Sequence, residues 1–357
     1  MNPRLAAIAA ALVTVLAVVG AVVALSVNRE SVVPQAATRL LSADTAPAVP
    51  ALQGITAFDN TAPVTFEELR GKVVLVDFWT YTCINCRRTF PFLHAIEKAY
   101  PEVEILGVHS PEFGFEKKHD NVVRAIKELG ITWPVAEDPE MATWRAFSNQ
   151  YWPADYLIDR AGKVRYFHAG EGNEQEIEQA IRDLLDEGGM APAARIGELP
   201  APSTLEQPLT PETYFGALRG DKYVAGGKTI AVGATVTRND PAQQRDVVAL
   251  SGSFTGGDEF LELGAGAAVT QAFHARDVYA TSAPRTGEVV LDVTLDGKPV
   301  PAGKRGTSLT EVDGRTVAVL RSDDLLHLLT GPAVADGTLR LSARTAGARL
   351  FTFTYGA

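Results

Sequence analysis

The sequence predicts an α/β unit, with helices on both faces of a mixed central sheet, followed by an all-β sandwich, both carried behind a single N-terminal membrane-spanning helix. Three observations predict this. From Lys72 to Leu185, apolar β-branched runs alternate with amphipathic runs in the order β-α-β-α-β-α-β-β-α, which covers both faces of a sheet. Beyond Pro211 the runs become short and β-rich, divided by Asp-Gly pairs. Ahead of both, the stretch from Leu5 to Val27 carries no charge.

That uncharged stretch, at 1.5 Å rise per residue, makes roughly 34 Å of helix, enough to cross a bilayer and longer than the apolar core of a cleaved signal. Arg4 on its N-terminal side holds that end in the cytoplasm and sends the remainder outside. The anchor is assigned to residues 1–30, an Ala/Pro/Ser/Thr-rich tether to 31–50, the α/β unit to 51–190, a proline-rich linker to 191–210 and the sandwich to 211–357. About 300 residues outside the anchor are too many for one ordinary core.

Within the α/β unit, Pro63 to Leu69 reads as a strand entering a short helix, and Gly71 turns the chain into the buried strand Lys72–Trp79. Arg87 to Lys98 reads as a helix kinked at Pro91, and Glu104–Val108 as a strand. A helix over Lys117–Leu129 stops at Gly130. Thr132–Ala136 is a short strand, and Asp138 caps a helix with Pro139 at its first position. Asp159-Arg160-Ala161-Gly162 is a hairpin turn into Val164–His168. Glu174–Leu185 buries Ile177, Ile181, Leu184 and Leu185 along one stripe. In the sandwich, the strands include Val289–Leu295, Thr316–Leu320, Thr338–Ser342 and Leu350–Tyr355.

The chain has two cysteines, Cys83 and Cys86, in Cys83-Ile84-Asn85-Cys86 between the buried strand and the first helix. Two sulfurs within one helical turn can close and reopen a short disulfide. A thiolate at a helix N-terminus also meets unpaired N–H groups and the positive end of the helix dipole. A zinc site would need about four ligands, and no third cysteine or suitably spaced histidine exists. Covalent haem attachment needs a histidine where Arg87 stands. The pair therefore points to redox chemistry with no added cofactor. Export permits disulfides, yet only this pair is present, so the fold is not held by disulfides.

Trp79-Thr80-Tyr81-Thr82-Cys83-Ile84-Asn85-Cys86-Arg87, Pro91 and Asn149-Gln150-Tyr151-Trp152-Pro153-Ala154-Asp155-Tyr156-Leu157-Ile158-Asp159 resemble membrane-anchored thioredoxin-like proteins of the TlpA type. They resemble more closely the periplasmic thioredoxin part of DipZ-type proteins. The likeness covers residues 51–190, and residues 205–357 resemble, more loosely, the carbohydrate-binding-like β-sandwich that follows in that family. The resemblance implies a thioredoxin-like fold in which Cys83 attacks and the deeper Cys86 resolves the mixed disulfide. It implies that Asp77 is a buried carboxylate that takes the Cys86 proton. Pro153 would be a cis-proline facing the disulfide, with Trp152 shaping the groove and Trp79 supporting the site. DipZ-type chains usually begin with a multi-helix electron-transferring membrane part, which a single span replaces here.

Net charge is −10, and residues 51–190 hold 14 Lys/Arg against 23 Asp/Glu. No basic stripe serves nucleic acid, so that class is excluded. Thr80 three residues before Cys83 is the spacing of a peroxidase, but the matching proline is replaced by Val76, and Arg87 and Arg88 read as solvated. The function expected is an extracytoplasmic, membrane-tethered thiol–disulfide oxidoreductase. Its partners are cysteine-containing exported proteins and a membrane protein that donates or accepts electrons. The alternative is an envelope- or glycan-binding protein, with Tyr223, Phe254, Phe260, Phe273 and Tyr279 of the sandwich stacking on sugars and the α/β unit as scaffold.

Overall fold

The computed structural model describes residues 40–190, 195–197, 208–220, 224, 227–241 and 245–357. The predicted anchor over 1–30, Tyr223 and most of the predicted linker lie outside the described residues. Among the described residues no helix is long and apolar enough to cross a membrane.

The first sheet contains β1 (Ala57–Asp59), β2 (Val73–Trp79), β3 (Val103–His109), β4 (Val135–Glu137), β5 (Ala154–Ile158) and β6 (Val164–Ala169), in the order β1-β4-β3-β2-β5-β6. β2 and β3 are parallel, and β5 runs antiparallel to both β2 and β6, so the sheet is mixed as predicted. Around it stand α1 (Ile84–Ala99), α2 (His119–Leu129), α3 (Ala142–Ala146) and α4 (Glu174–Glu187). Every residue of β2 is buried, as its apolar run requires when both faces are covered. One face packs on Leu93, Ile96, Ile181 and Leu184 of the helices, and the other on Phe66, Trp144 and Phe147.

Several local expectations change. The strand predicted near Pro63 lies earlier, as β1, and pairs with β4 at the sheet edge. The helix predicted from Lys117 begins at His119, after a 3₁₀ turn over Gly114–Lys117. The N-cap position falls at Met141, not at Asp138, although Asp138 still accepts from Ala142 N–H and Trp144 N–H at 2.7 and 2.8 Å. Its helix starts at Ala142, so Pro139 is not at the first helical position. Residues 40–50, assigned to the tether, are laid along β6. Leu41 N–H donates to Arg165 O at 2.8 Å, Val49 N–H donates to Gly162 O at 2.9 Å, and Ala46 is buried. Arg165 explains this, because its buried guanidinium holds Leu41 O, Asp159 and Glu187 together.

The second sheet contains β7 (Thr213–Tyr214), β8 (Thr235–Asn239), β9 (Val248–Gly256), β10 (Leu261–Leu263), β11 (Ala268–Ala275), β12 (Asp277–Pro284), β13 (Val289–Leu295), β14 (Lys298–Pro299), β15 (Leu309–Val312), β16 (Arg315–Leu320), β17 (Asp324–Leu329), β18 (Ala335–Ala343) and β19 (Ala348–Gly356). These thirteen strands belong to one continuous hydrogen-bonded sheet. The predicted sandwich is thus one continuous barrel-like sheet, with β15 and β17 at the ends of its strand order, over a single core of Phe254, Val269, Leu291, Leu341, Leu350 and Phe353. Asp296 and Asp313 take left-handed φ of 52° and 51° ahead of Gly297 and Gly314, the geometry of tight hairpin turns.

The two sheets share a joint. Phe351 of β19 turns away from its own core and packs on Phe113 and Phe115, with ring centroids 5.1 and 4.8 Å apart. Arg87 donates to Asp324 at 3.0 Å, Arg124 donates to Asp323 O at 3.2 Å, and Gly114 N–H donates to Glu259 at 2.8 Å. Arg87 and Arg88, read from sequence as solvated, are both committed to the second sheet. Arg88 lies over the Tyr279 ring, 5.6 Å from its centroid. Phe351→Ala should cost about 3–5 kcal/mol, because the cavity opens where Phe113, Phe115 and Phe260 meet. Urea unfolding would show this as a lower midpoint, and a change under about 0.5 kcal/mol would mean that the joint carries no stability.

Candidate active site

The strand–turn–helix geometry places Cys83 as the N-cap of α1, with extended φ/ψ of −74° and 109°. Its Sγ accepts a hydrogen bond from Cys86 N–H at 3.2 Å, the bond a capping side chain makes to an otherwise unpaired donor. Cys83 is partly exposed, Cys86 is fully buried, and neither is bonded to another sulfur. Burial pushes the Cys86 thiol well up, helped by the neighbouring Cys83 sulfur and by Asp77. The asymmetry of one reachable and one protected sulfur is the one the sequence predicted.

The turn before Cys83 is fixed by a residue that the sequence did not single out. Glu116 is buried and accepts from Thr82 Oγ1–H at 2.6 Å, from Glu112 N–H at 2.7 Å and from Phe113 N–H at 3.0 Å. Its burial lifts its carboxyl to about 7. Arg87 locks the other side, donating from Nε to Tyr81 O at 2.6 Å.

Asp77 sits at the fifth position of β2, fully buried, with no hydrogen-bond partner for either carboxyl oxygen among the described residues. A solvent-facing strand-end aspartate is thereby excluded. Desolvation raises its pKa well above the carboxylate range, and Asp155 adds to the rise. Trp79 is wholly buried against Phe90 and His109, with centroids 5.5 and 5.0 Å apart, so it supports the site from below. Gly107 on β3 makes room for it, since a β-carbon there would meet Trp79 Nε1 at 2.9 Å and Trp133 Nε1 at 3.1 Å.

The Trp152–Pro153 bond is cis. Trp152 packs on Trp144 with ring centroids 4.1 Å apart and donates from Nε1 to Ser110 O at 2.9 Å. Its outer part lines a cleft with Cys83, Ile84 and Asn85. Asp77, Cys86, Cys83 and Trp152 thus belong to one region, with the first two beneath its surface.

The far wall of that cleft comes from the second sheet, as Glu212, Tyr214, Arg219, Thr281 and Thr354. Tyr214 Oη lies 2.8 Å from Glu112 and 2.9 Å from Glu212, and Arg219 donates to Glu112 at 2.9 Å while covering the Tyr214 ring at 3.9 Å. Burial and the Glu112 charge raise the Glu212 carboxyl to about 7. No sequence signal tied these residues to Cys83, because the pairing runs across more than a hundred residues.

Of the aromatics considered for sugar stacking, Phe254, Phe273 and Tyr279 are buried and Phe260 packs against Phe351, so these four fill structure. Apart from this cleft, the described residues bring Asp59, His119 and Glu137 together at the edge of the first sheet, where His119 Nδ1 and Glu137 Oε1 form an ion pair at 2.6 Å.

Comparison with known proteins agrees with the geometry. Residues 42–184 match the Redoxin family, and residues 210–356 match the family described as thioredoxin-like C-terminal domain. Protein DipZ of Mycobacterium bovis is 36% identical over 337 residues, which is 90% of this chain and 44% of DipZ. This chain therefore spans less than half of that relative. The thiol-disulfide oxidoreductase YkuV of Bacillus subtilis is 30% identical over 141 residues, covering 39% of this chain and 95% of YkuV. The solution structure of a thioredoxin-like protein in its oxidised form matches 40% of this chain and 97% of its own, at 29% identity and a TM-score of 0.37. With a reachable and a buried cysteine at the start of a helix, and relatives of this kind, the chain belongs to the thioredoxin-like family of thiol–disulfide oxidoreductases and is a homologue of DipZ.

Proposed function

We propose that the chain exchanges disulfides with cysteine-containing exported proteins through Cys83 and Cys86, outside the cytoplasmic membrane, tethered by the span at 1–30. The observation that carries this reading is the pairing of a partly exposed Cys83 at a helix N-terminus with a buried Cys86 one turn deeper. Cys83 Sγ attacks a substrate disulfide and forms a mixed disulfide. Cys86 then bonds to Cys83 and releases the substrate as a thiol, with Asp77 taking the Cys86 proton. The reverse sequence oxidises a substrate dithiol, and the poise of a partner membrane protein sets the direction.

Pro153 and Trp152 serve as the rim on which an extended substrate segment lies beside the sulfurs. The second sheet supplies the opposite rim, with Arg219 and Tyr214 facing the substrate segment. Residues 211–357 thus act as a substrate-positioning unit.

The test is turnover of a disulfide-bonded protein substrate by the whole chain. Steady release of substrate thiols is expected, and Tyr214→Ala should raise KM about tenfold with kcat nearly kept, the signature of a lost binding contact. No turnover of any protein disulfide, with Cys83 still alkylatable, would overturn the reading.

A further inference from the structure

Beneath the cysteine pair, three buried ionisable side chains form a row across three strands. Asp77 of β2 stands directly opposite Asp155 of β5, and Asp155 directly opposite His168 of β6. Directly opposed residues on antiparallel strands share a face, with β-carbons about 4.5–5.5 Å apart. All three are more than nine-tenths buried. Both oxygens of Asp77, Oδ1 of Asp155 and Nε2 of His168 have no hydrogen-bond partner among the described residues. His168 Nδ1 lies 3.3 Å from the side-chain nitrogen of Asn173, which is exposed at the start of α4.

The groups facing it are Cys86 from α1, Tyr166 from β6, and Glu174 and Glu176 from α4. On β3 the residue opposite Asp77 is Gly107, which offers no charge. The charged groups that act on the two aspartates are other carboxylates, Asp155 on Asp77 and Glu174 on Asp155. Two opposed, desolvated carboxyls raise each other's proton affinity, so ionising both is disfavoured near neutral pH.

We propose that Asp155 joins Asp77 in a carboxyl pair that holds one proton, and that this pair takes the Cys86 proton. The inference rests on the thiol-exchange reading above. In the resolving step, the Cys86 sulfur bonds to the Cys83 sulfur. The bond from Cys83 to the substrate sulfur breaks, and its electron pair leaves on that sulfur. The Cys86 proton moves to the pair. The two cysteines are oxidised and the substrate disulfide is reduced. Asp155 touches no reacting sulfur; it is a positioning residue that sets when Asp77 is free to accept.

The experiment measures single-turnover resolution of a glutathione mixed disulfide at Cys83, from pH 5 to 9, in the whole chain. With Asp155→Asn, Asp77 loses its charged neighbour and its carboxyl falls toward the ordinary range. The acid limb of the profile should then move down by roughly one pH unit or more, and Asp77→Asn should slow resolution roughly 10²-fold and erase the limb. A direct reading needs no kinetics: at pH 7, the infrared spectrum of the wild type should hold one protonated carboxyl more than that of Asp155→Asn. Superimposable pH profiles together with identical carboxyl bands would overturn the pair. Failure of the wild type to exchange disulfides at all would sink the underlying reading instead, so the two failures are distinguishable.

Discussion

Replacing Cys83 with serine is expected to abolish disulfide exchange, with a loss of about 10³-fold or more, because the attacking sulfur is the group that forms the covalent intermediate. Replacing Cys86 with serine has a different signature. Cys83 keeps its place as helix N-cap and remains partly exposed, so attack on substrate proceeds. Release does not, because the only sulfur within reach of the mixed disulfide has gone. The Cys86→Ser protein should accumulate as a covalent adduct that a small thiol dissolves. Non-reducing gels and mass spectrometry check both variants. Equal turnover by Cys83→Ser, or free product from Cys86→Ser, would contradict the assignment. Peroxidase chemistry would need an arginine beside Cys83, and the guanidinium of Arg87 is held by Tyr81 O and Asp324.

The second large effect is on stability. Asp155 is raised from 3.8 to about 7 and Glu116 from 4.5 to about 7, in both cases mainly by burial, and Asp77 is raised in the same direction. A raised carboxyl means that the folded state binds the proton more tightly than the unfolded chain. The contributions of Asp155 and Glu116 are therefore complete below their unfolded values near pH 4, and they are lost as pH climbs to about 7. Buried His109 and His168 oppose this, because both are lowered and must stay neutral in the fold, so they favour folding as pH rises through about 6.5. The comparison of variants separates the two. Asp155→Asn should be close to wild type at pH 4.5 and about 2–4 kcal/mol more stable at pH 7.5, since a tenfold difference in proton affinity between folded and unfolded chain is worth about 1.4 kcal/mol. Urea midpoints of the reduced proteins at four pH values would show the gap widen. A gap independent of pH would mean that Asp155 is ionised in the fold.

Much of this site was legible in the sequence, for local reasons. A β-branched run, two cysteines one turn apart and a following helix sit within thirty residues, and each shapes its own backbone. The Asp159–Gly162 hairpin carried its own turn chemistry, and Gly162 has the left-handed φ of 73° that it requires. What stayed hidden depends on partners distant in the chain. Nothing marks Asp155 inside Ala154–Ile158 until β5 is set against β2 in the register that opposes it to Asp77. Glu112 and Glu212 meet around Tyr214 only because Phe351 docks the second sheet on the first. The sandwich reading missed the continuity of the sheet for the same reason: short strands and turns report local pairing, not whether the last strand closes on an earlier one.

The most direct test is a redox titration of the whole chain in glutathione buffers, followed by alkylation and mass measurement. A single two-electron transition is predicted, with Cys83 and Cys86 alkylated together when reduced and protected together when oxidised. A folded protein in which Cys86 is never protected at any potential, or in which Cys83 is capped only by glutathione, would contradict the account.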